Sequence, residues 1–378
     1  IASSGNDTLD GGIGDDALQG GADDDLLDGG DGIDLLDGGQ GSDVIKGGAG
    51  DDFILGGGNV TVALTGGLDY NQFADGSLQM THLDADGKLA LPSLTGVSPT
   101  DASTYGIGYI NVEGDGADVI DAGSGNDWVF AGDGDDLMQG GTGNDYLVGQ
   151  TGNDFIEGGA DDDMLYGDGV QGDLVQAPGS LGTYTLPAFQ GDDYIDGGAG
   201  TDFISGDGGA DELFGGDGND TLIGDSSLLD AQYHGADYLD GEEGNDTLYG
   251  YGKDDTLFGG AGDDILEGDS NSVAAADHGA DYLDGEDGND TLKGDGGNDT
   301  VRGGVGNDVL YGGADADALD GGAGDDIVLG GSGLRTLKAA TDSAGFVSDL
   351  SSTEAVNLYG KNAAEALGYK VDARVGGK

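Results

Sequence analysis

Residues 29–37 read G-G-D-G-I-D-L-L-D, and the chain after them repeats the phrase without a gap. Residues 38–46 are G-G-Q-G-S-D-V-I-K and residues 47–55 are G-G-A-G-D-D-F-I-L. No other feature restricts the fold as much as this nine-residue period. Each unit offers one apolar residue, at its eighth place, and cannot bury it alone, so copies must stack. The glycines at places one, two and four predict a turn whose backbone takes positive φ. The three residues after the sixth-place aspartate predict a short strand. Its eighth residue points inward, and its seventh and ninth point outward.

Aligned on that aspartate, the chain divides into blocks. Residues 2–55 hold six repeats, with Asp7, Asp16, Asp25, Asp34, Asp43 and Asp52. Residues 56–112 break the period. Alternating runs at 60–64 and 105–112 predict strands, and 78–83 with 88–91 flank a hairpin turn at 84–87, so this stretch reads as a small inserted β subdomain. Residues 113–166 hold six repeats, with Asp118, Asp127, Asp136, Asp145, Asp154 and Asp163. A loop insertion follows at 167–187. Residues 188–329 hold the rest: Asp193, Asp202, Asp211, Asp220, then Asp237, Asp246, Asp255, Asp264, then Asp281, Asp290, Asp299, Asp308, Asp317 and Asp326. Two eight-residue spacers, 224–231 and 268–275, separate these three groups. Beyond 330 the character changes to a short α/β tail, a cap or the start of another domain. A capping-box pattern at 351–354 predicts a short helix and 369–375 predicts a strand.

Eleven basic residues face 76 acidic ones, a formal charge of −65. Phosphate binding needs a cationic footprint, which excludes nucleic acid as a partner. No apolar run reaches membrane-spanning length, so no membrane insertion is expected. Residues 1–4 lack the basic start and apolar core of a signal peptide, and the chain opens in repeat register, as a fragment would. Cysteine is absent, so neither disulfides nor thiolate metal sites are available. One buried residue per nonamer is a thin core for so many ordered glycines and so much like charge. Carboxylates beside turn carbonyls are the ligand set of a hard cation, and a flexible turn suits calcium better than magnesium. The chain is therefore expected to be disordered without metal, with metal binding driving its folding.

The nonamers resemble the RTX (repeats-in-toxin, haemolysin-type) calcium-binding family. The resemblance implies an all-β fold, a right-handed parallel β-roll with two nonamers per coil. It implies that each calcium lies between a turn and the next turn on the same edge, held by both sixth-place aspartates and by carbonyls. Asp25 would then share ions with Asp7 and Asp43. The separate blocks would hold about 16 ions, and an uninterrupted roll about 24. The family also implies export by type I secretion machinery and folding in external calcium. Four repeats depart from glycine at the fourth place: Asp23, Asp161, Lys253 and Asp315. Lys253 brings a positive charge, so the sites around Asp255 are expected to be weak.

His82, His234 and His278 read as ordinary exposed residues, because none lies at metal-ligand spacing to another histidine. Asp84 and Asp86 lack the spacing of an EF-hand. Outward positions of alternate repeats place Trp128, Phe130, Tyr146, Val148, Met164 and Tyr166 in one apolar strip, a candidate interface unless an insertion folds over it. No H-E-x-x-H or G-x-S-x-G motif is present, and an enzyme is not expected. The first functional reading is a calcium-stiffened structural or adhesive rod of a large secreted or cell-surface protein, partnered by self-assembly or surface attachment. The alternative is a folding and secretion module for an enzyme or toxin whose active domain lies outside this chain.

Overall fold

The computed structural model describes residues 4–57, 61–64, 68–72, 78–80, 107–108, 116–168, 190–226, 231–270, 274–331 and 336–338. Among these residues there is no helix. The chain forms two compact units, Ile1–Leu213 and Phe214–Lys378.

In the first unit, successive strands alternate between two parallel sheets, the arrangement of a β-roll. One sheet takes Thr8–Ile13, Leu26–Asp31, Val44–Ala49, Val119–Ser124, Leu137–Thr142, Phe155–Ala160 and Tyr194–Gly200. The other takes Ala17–Ala22, Leu35–Gln40, Phe53–Gly57, Trp128–Asp133, Tyr146–Thr151, Met164–Asp168 and Phe203–Asp207. The eighth-place residue sets the register. Leu27 pairs with Ile45, Ile45 with Ile120, and Ile120 with Met138. Leu27, Ile45, Ile120 and Met138 are all buried, so a slip of one residue would turn the whole column out to water. The strands run further than the expected three residues, because the glycine pair after each strand extends the ladder before the chain turns.

Neither insertion breaks the register. Val44–Ala49 pairs with Val119–Ser124 across residues 56–112, and Phe155–Ala160 pairs with Tyr194–Gly200 across residues 167–187. Within the first insertion, Thr61–Leu64, Leu68–Gln72, Leu78–Met80 and Ile107–Gly108 form a four-stranded antiparallel sheet. Leu68–Gln72 is a strand that alternation alone does not single out. The hairpin expected around 84–87, with His82, lies outside the described residues.

The second unit repeats the plan with leaner strands. Leu239, Leu257, Leu283, Val301 and Leu319 stack in one sheet, and Leu222, Leu248, Leu266, Leu292, Leu310 and Val328 in the other, all buried. Thr336–Lys338 pairs in register with Ala318–Asp320, so the parallel ladder extends past residue 329. The helix and strand expected in the rest of the tail lie outside the described residues.

Candidate metal centre

The turn geometry follows from its glycines. Gly30 and Gly32, at places two and four, have φ of 104° and 150°. A Cβ on Gly30 would collide with the carbonyl of Gly12, one coil away. Among the described residues, all ten non-glycine residues at positive φ occupy these same two places. At place four they are Asp23, Asp161, Lys253 and Asp315. At place two they are Gln150, Asp207, Glu242, Tyr251, Glu286 and Asp295. The repeat thus imposes the turn even where the side chain opposes it.

Two rows of side-chain oxygens tie the turns along each edge. The sixth-place carboxylate reaches back. Asp34 Oδ1 accepts from the backbone N–H of Asp16 at 2.8 Å, and Asp52 Oδ1 accepts from that of Asp34 at 2.8 Å. The fifth-place side chain reaches forward. Asp51 Oδ1 accepts from the N–H of Asn126 at 2.9 Å, and Asn126 Oδ1 from that of Asn144 at 2.8 Å. The same two rows recur in the second unit, where Asp246 N–H donates to Asp264 Oδ1 and Asp263 N–H to Asn245 Oδ1.

The second oxygen of the sixth-place carboxylate has a different environment. Oδ2 of Asp34, Asp52, Asp127, Asp154, Asp163, Asp246, Asp290 and Asp308 is buried and accepts no hydrogen bond. A Cβ added to Gly29 would lie 2.5 Å from Asp34 Oδ2 and 2.6 Å from the carbonyl oxygen of Gly47. Glycine at place one therefore keeps open a cradle between a carboxylate and a carbonyl. Buried, unbonded anionic oxygen carries a large desolvation penalty unless a cation compensates it. Burial pushes Asp52 up to about 8, opposed by the Asp34 N–H and reinforced by Asp127 and Asp34. Burial also pushes Asp154 up to about 9, with Asp193 and Asp136 adding to it. Carboxylate plus carbonyl oxygen, in a flexible turn, fits calcium.

A family model described as RTX calcium-binding nonapeptide repeat (4 copies) matches residues 1–36, 28–59, 114–147, 139–171, 188–225, 240–272, 276–310 and 302–337. This chain belongs to that family. Among curated proteins none matches. The RTX chain also resembles a solved structure, a hyperactive, Ca2+-dependent, beta-helical antifreeze protein from an Antarctic bacterium. The identity is 16%, the match covers 95% of this chain and 90% of that one, and the TM-score is 0.43.

Of the RTX residues named from sequence, the structure brings the sixth-place carboxylates from Asp25 to Asp211 in the first unit, and from Asp246 to Asp326 in the second, to the backbone of the preceding turn on their edge, insertions included. Asp154 N–H donates to Asp193 Oδ1 at 2.7 Å, and Asp264 N–H to Asp290 Oδ1 at 2.9 Å. Around Lys253 the row is intact. Asp237 N–H donates to Asp255 Oδ1 at 3.0 Å, and Asp255 N–H to Asp281 Oδ1 at 2.9 Å. Among the described residues, no three His, Asp or Glu side chains form a ready-made ligand group. The RTX cradle instead pairs one carboxylate oxygen with backbone carbonyl.

The apolar strip, an interface unless covered, proves to be covered, and the exposed reading of two histidines needs correction. Trp128 is 3%, Phe130 0% and Val148 1% exposed, Met164 is buried, and Tyr146 and Tyr166 are half-buried. The rings pack along the sheet, with Trp128 stacked on Tyr146 at 5.3 Å and Tyr146 tilted against Tyr166 at 5.4 Å. The histidines of the spacers are not ordinary exposed residues either. His234 is buried, with Nδ1 3.6 Å from Asp225 Oδ2, and His278 Nδ1 lies 3.9 Å from Asp269 Oδ2. The His278 ring lies over Gly296 in the next turn of that edge, where a Cβ would run into Nδ1. The missing side chain at that register position makes the room, a signal visible only once the turns are stacked.

Proposed function

We propose that the chain is a calcium-stiffened rod within a large secreted or cell-surface protein of surface-layer or adhesin type. The observation that carries this reading is the back-reaching row of carboxylates within each unit, with a buried Oδ2 unbonded in turn after turn. Such a row repels itself unless cations lie along it. Continuity of the row across the insertions in each unit favours the larger number of ions, nearer about 24 than 16. Calcium binds every sixth-place aspartate from Asp7 to Asp326, with sites around Asp255 weakened by Lys253. The role is structural, not catalytic, since the buried acids belong to the repeat. Low calcium inside the cell keeps the chain unfolded for export, and external calcium folds it.

The second reading, a folding and secretion module of a type I-secreted enzyme or toxin, shares this biochemistry and draws on the family alone. Calcium titration of the chain, followed by far-UV circular dichroism and electron microscopy, tests the first. Full β-structure in excess chelator would sink calcium-driven folding. Rods that fail to associate or to attach to cells in calcium would favour the secretion module.

A further inference from the structure

Three of the four interruptions of the roll, all but residues 56–112, are closed alike. Asp168, Asp225 and Asp269 stand where residues 167–187 and the two spacers begin. They accept from the N–H of Gly191 at 3.2 Å, Gly235 at 3.1 Å and Gly279 at 3.3 Å, the fourth-place glycines where the repeat resumes. All three carboxylates are buried. After two of them, the next turn on that edge brings another second-place aspartate. Asp207 follows Asp168 and Asp295 follows Asp269, with φ of 75° and 66° where most repeats have glycine. After Asp225 the corresponding residue is Tyr251.

Around Asp269, four carboxylates therefore share one stretch of edge: Asp269, Asp281, Asp295 and Asp299. Burial first, then the charges of Asp299 and Asp295, push Asp269 up to about 8. The N–H of Asp281 donates to Asp299 Oδ1 at 3.0 Å, and the Gly279 N–H held by Asp269 lies two residues before Asp281. Oδ2 of all four is buried and accepts no hydrogen bond. Asp269, Asp281 and Asp299 are 0%, 2% and 1% exposed. The first unit repeats the set as Asp168, Asp193, Asp207 and Asp211, the last three each adding charge beside Asp168. An ordinary pair of turns, such as those of Asp16 and Asp34, brings only two sixth-place carboxylates.

The side chain matters as much as the charge. On the opposite edge, second-place departures are Glu242 and Glu286, and both are exposed. Only on the edge that carries these insertions does the second-place acid turn into the protein. A side chain in the left-handed region is strained relative to glycine, although aspartate tolerates it better than most residues. Glycine would avoid that strain, so the aspartate calls for a compensating interaction: Asp207 Oδ1 accepts from the Ser205 hydroxyl at 2.9 Å, whereas Asp295 Oδ2 stays buried and accepts no hydrogen bond.

We propose that these two four-carboxylate constellations are a second class of calcium site, which fills at lower calcium concentration than the ordinary turns. The inference rests on the calcium-binding reading of the repeats. Calcium affinity rises with the charge count and rigidity of the ligand set, and its flexible shell can draw in carboxylates that do not already converge. The sites close the insertions first and let the following repeats stack on a finished turn.

The test uses the whole chain and calcium alone. Asp207→Gly and Asp295→Gly restore the glycine found in most repeats, so the turn keeps its backbone. Calorimetric titration of the wild type should show a tight phase. In the double variant that phase should weaken on the order of tenfold. Thermal stability at saturating calcium should hold or rise, because glycine suits positive φ. An unchanged isotherm, with or without a loss of stability, overturns the inference while leaving calcium binding in place. A wild type that binds no calcium overturns both.

Discussion

The backbone N–H of Asp43 donates to Asp118 Oδ1 at 2.6 Å, although 75 residues separate them. The bond matches the one Asp25 makes to Asp43, 18 residues on, at 2.7 Å. The roll is therefore indifferent to what is inserted between its turns, provided the phase is kept. Deleting residues 56–112 joins Leu55 to Glu113 in phase. The shortened chain should still gain its β-structure at the calcium concentration that folds the parent, read by far-UV circular dichroism. A failure to fold at any calcium concentration would show that the insertion is part of the roll's stability.

Asp34 separates the two tasks of its carboxylate. Asp34→Asn keeps an oxygen for the Asp16 N–H and removes the charge. It should weaken calcium binding with little loss of stability at saturating calcium. Asp34→Ala also leaves a buried N–H without an acceptor, which costs about 1–3 kcal/mol more. Chemical denaturation of the two variants side by side measures the difference. Equal losses would mean that the amide bond contributes nothing.

The raised pKa values set the sign of the pH response. Burial pushes Asp43 up to about 6, Asp290 to about 7 and Asp163 to about 9 in the metal-free fold, against 3.8 for an ordinary aspartate. The folded chain then holds more protons than the unfolded one between about 4 and 9. The metal-free fold gains stability as pH falls through that window and loses it as pH rises. With calcium the order reverses, since protons compete for the same oxygens. Circular dichroism in chelator should show more β-structure at pH 4 than at pH 8. Titrations should show weaker calcium binding at pH 5 than at pH 8.

Lys253 holds a φ of 89° at a place where most repeats have glycine. Lys253→Gly should raise stability at saturating calcium by about 1 kcal/mol, the left-handed penalty of a side chain. It should also tighten calcium at the turns of Asp237, Asp255 and Asp281. Denaturation and titration of one variant check both, and a loss of stability would show that the lysine stem packs usefully.

The buried strip predicts a contrast between two phenylalanines on outward faces. Phe130 is 0% exposed and Phe155 38% exposed. Phe130→Ala should cost about 3–5 kcal/mol, the range of a core truncation. Phe155→Ala should cost much less, although it stacks on Tyr194 at 4.6 Å. The melting temperatures of the two variants in calcium decide it.

The sixth and eighth places of the repeat were legible from sequence because each has one physical task that tolerates few residue types. The parallel register followed from them, as Leu27 over Ile45 shows. The forward-reaching row was missed. Asp51 and Asn126 look like ordinary turn residues until the next coil supplies the N–H each accepts from. The second-place departures were missed for a similar reason, since Glu286 and Asp295 differ only in which way the finished turn points them. The burial of Trp128 was beyond any periodicity, because alternation tells which face a side chain takes and not what lies against that face. The ladder Tyr238, Phe258, Tyr282 under the guanidinium of Arg302 depends on diagonal neighbours 20 to 24 residues apart.

The carboxylate row reaches back and the fifth-place row reaches forward, so every turn presents donors and acceptors in a fixed direction. A turn cannot be inserted upside down, and a completed coil already holds the partners its successor needs. Parallel sheets usually fold slowly because their pairings are distant in sequence. Here most pairings are a single coil apart, 18 residues from Asp16 to Asp34. The roll can therefore assemble as a one-way zipper, each coil copying its register from the last, at the contact order of a helical protein rather than that of a sheet.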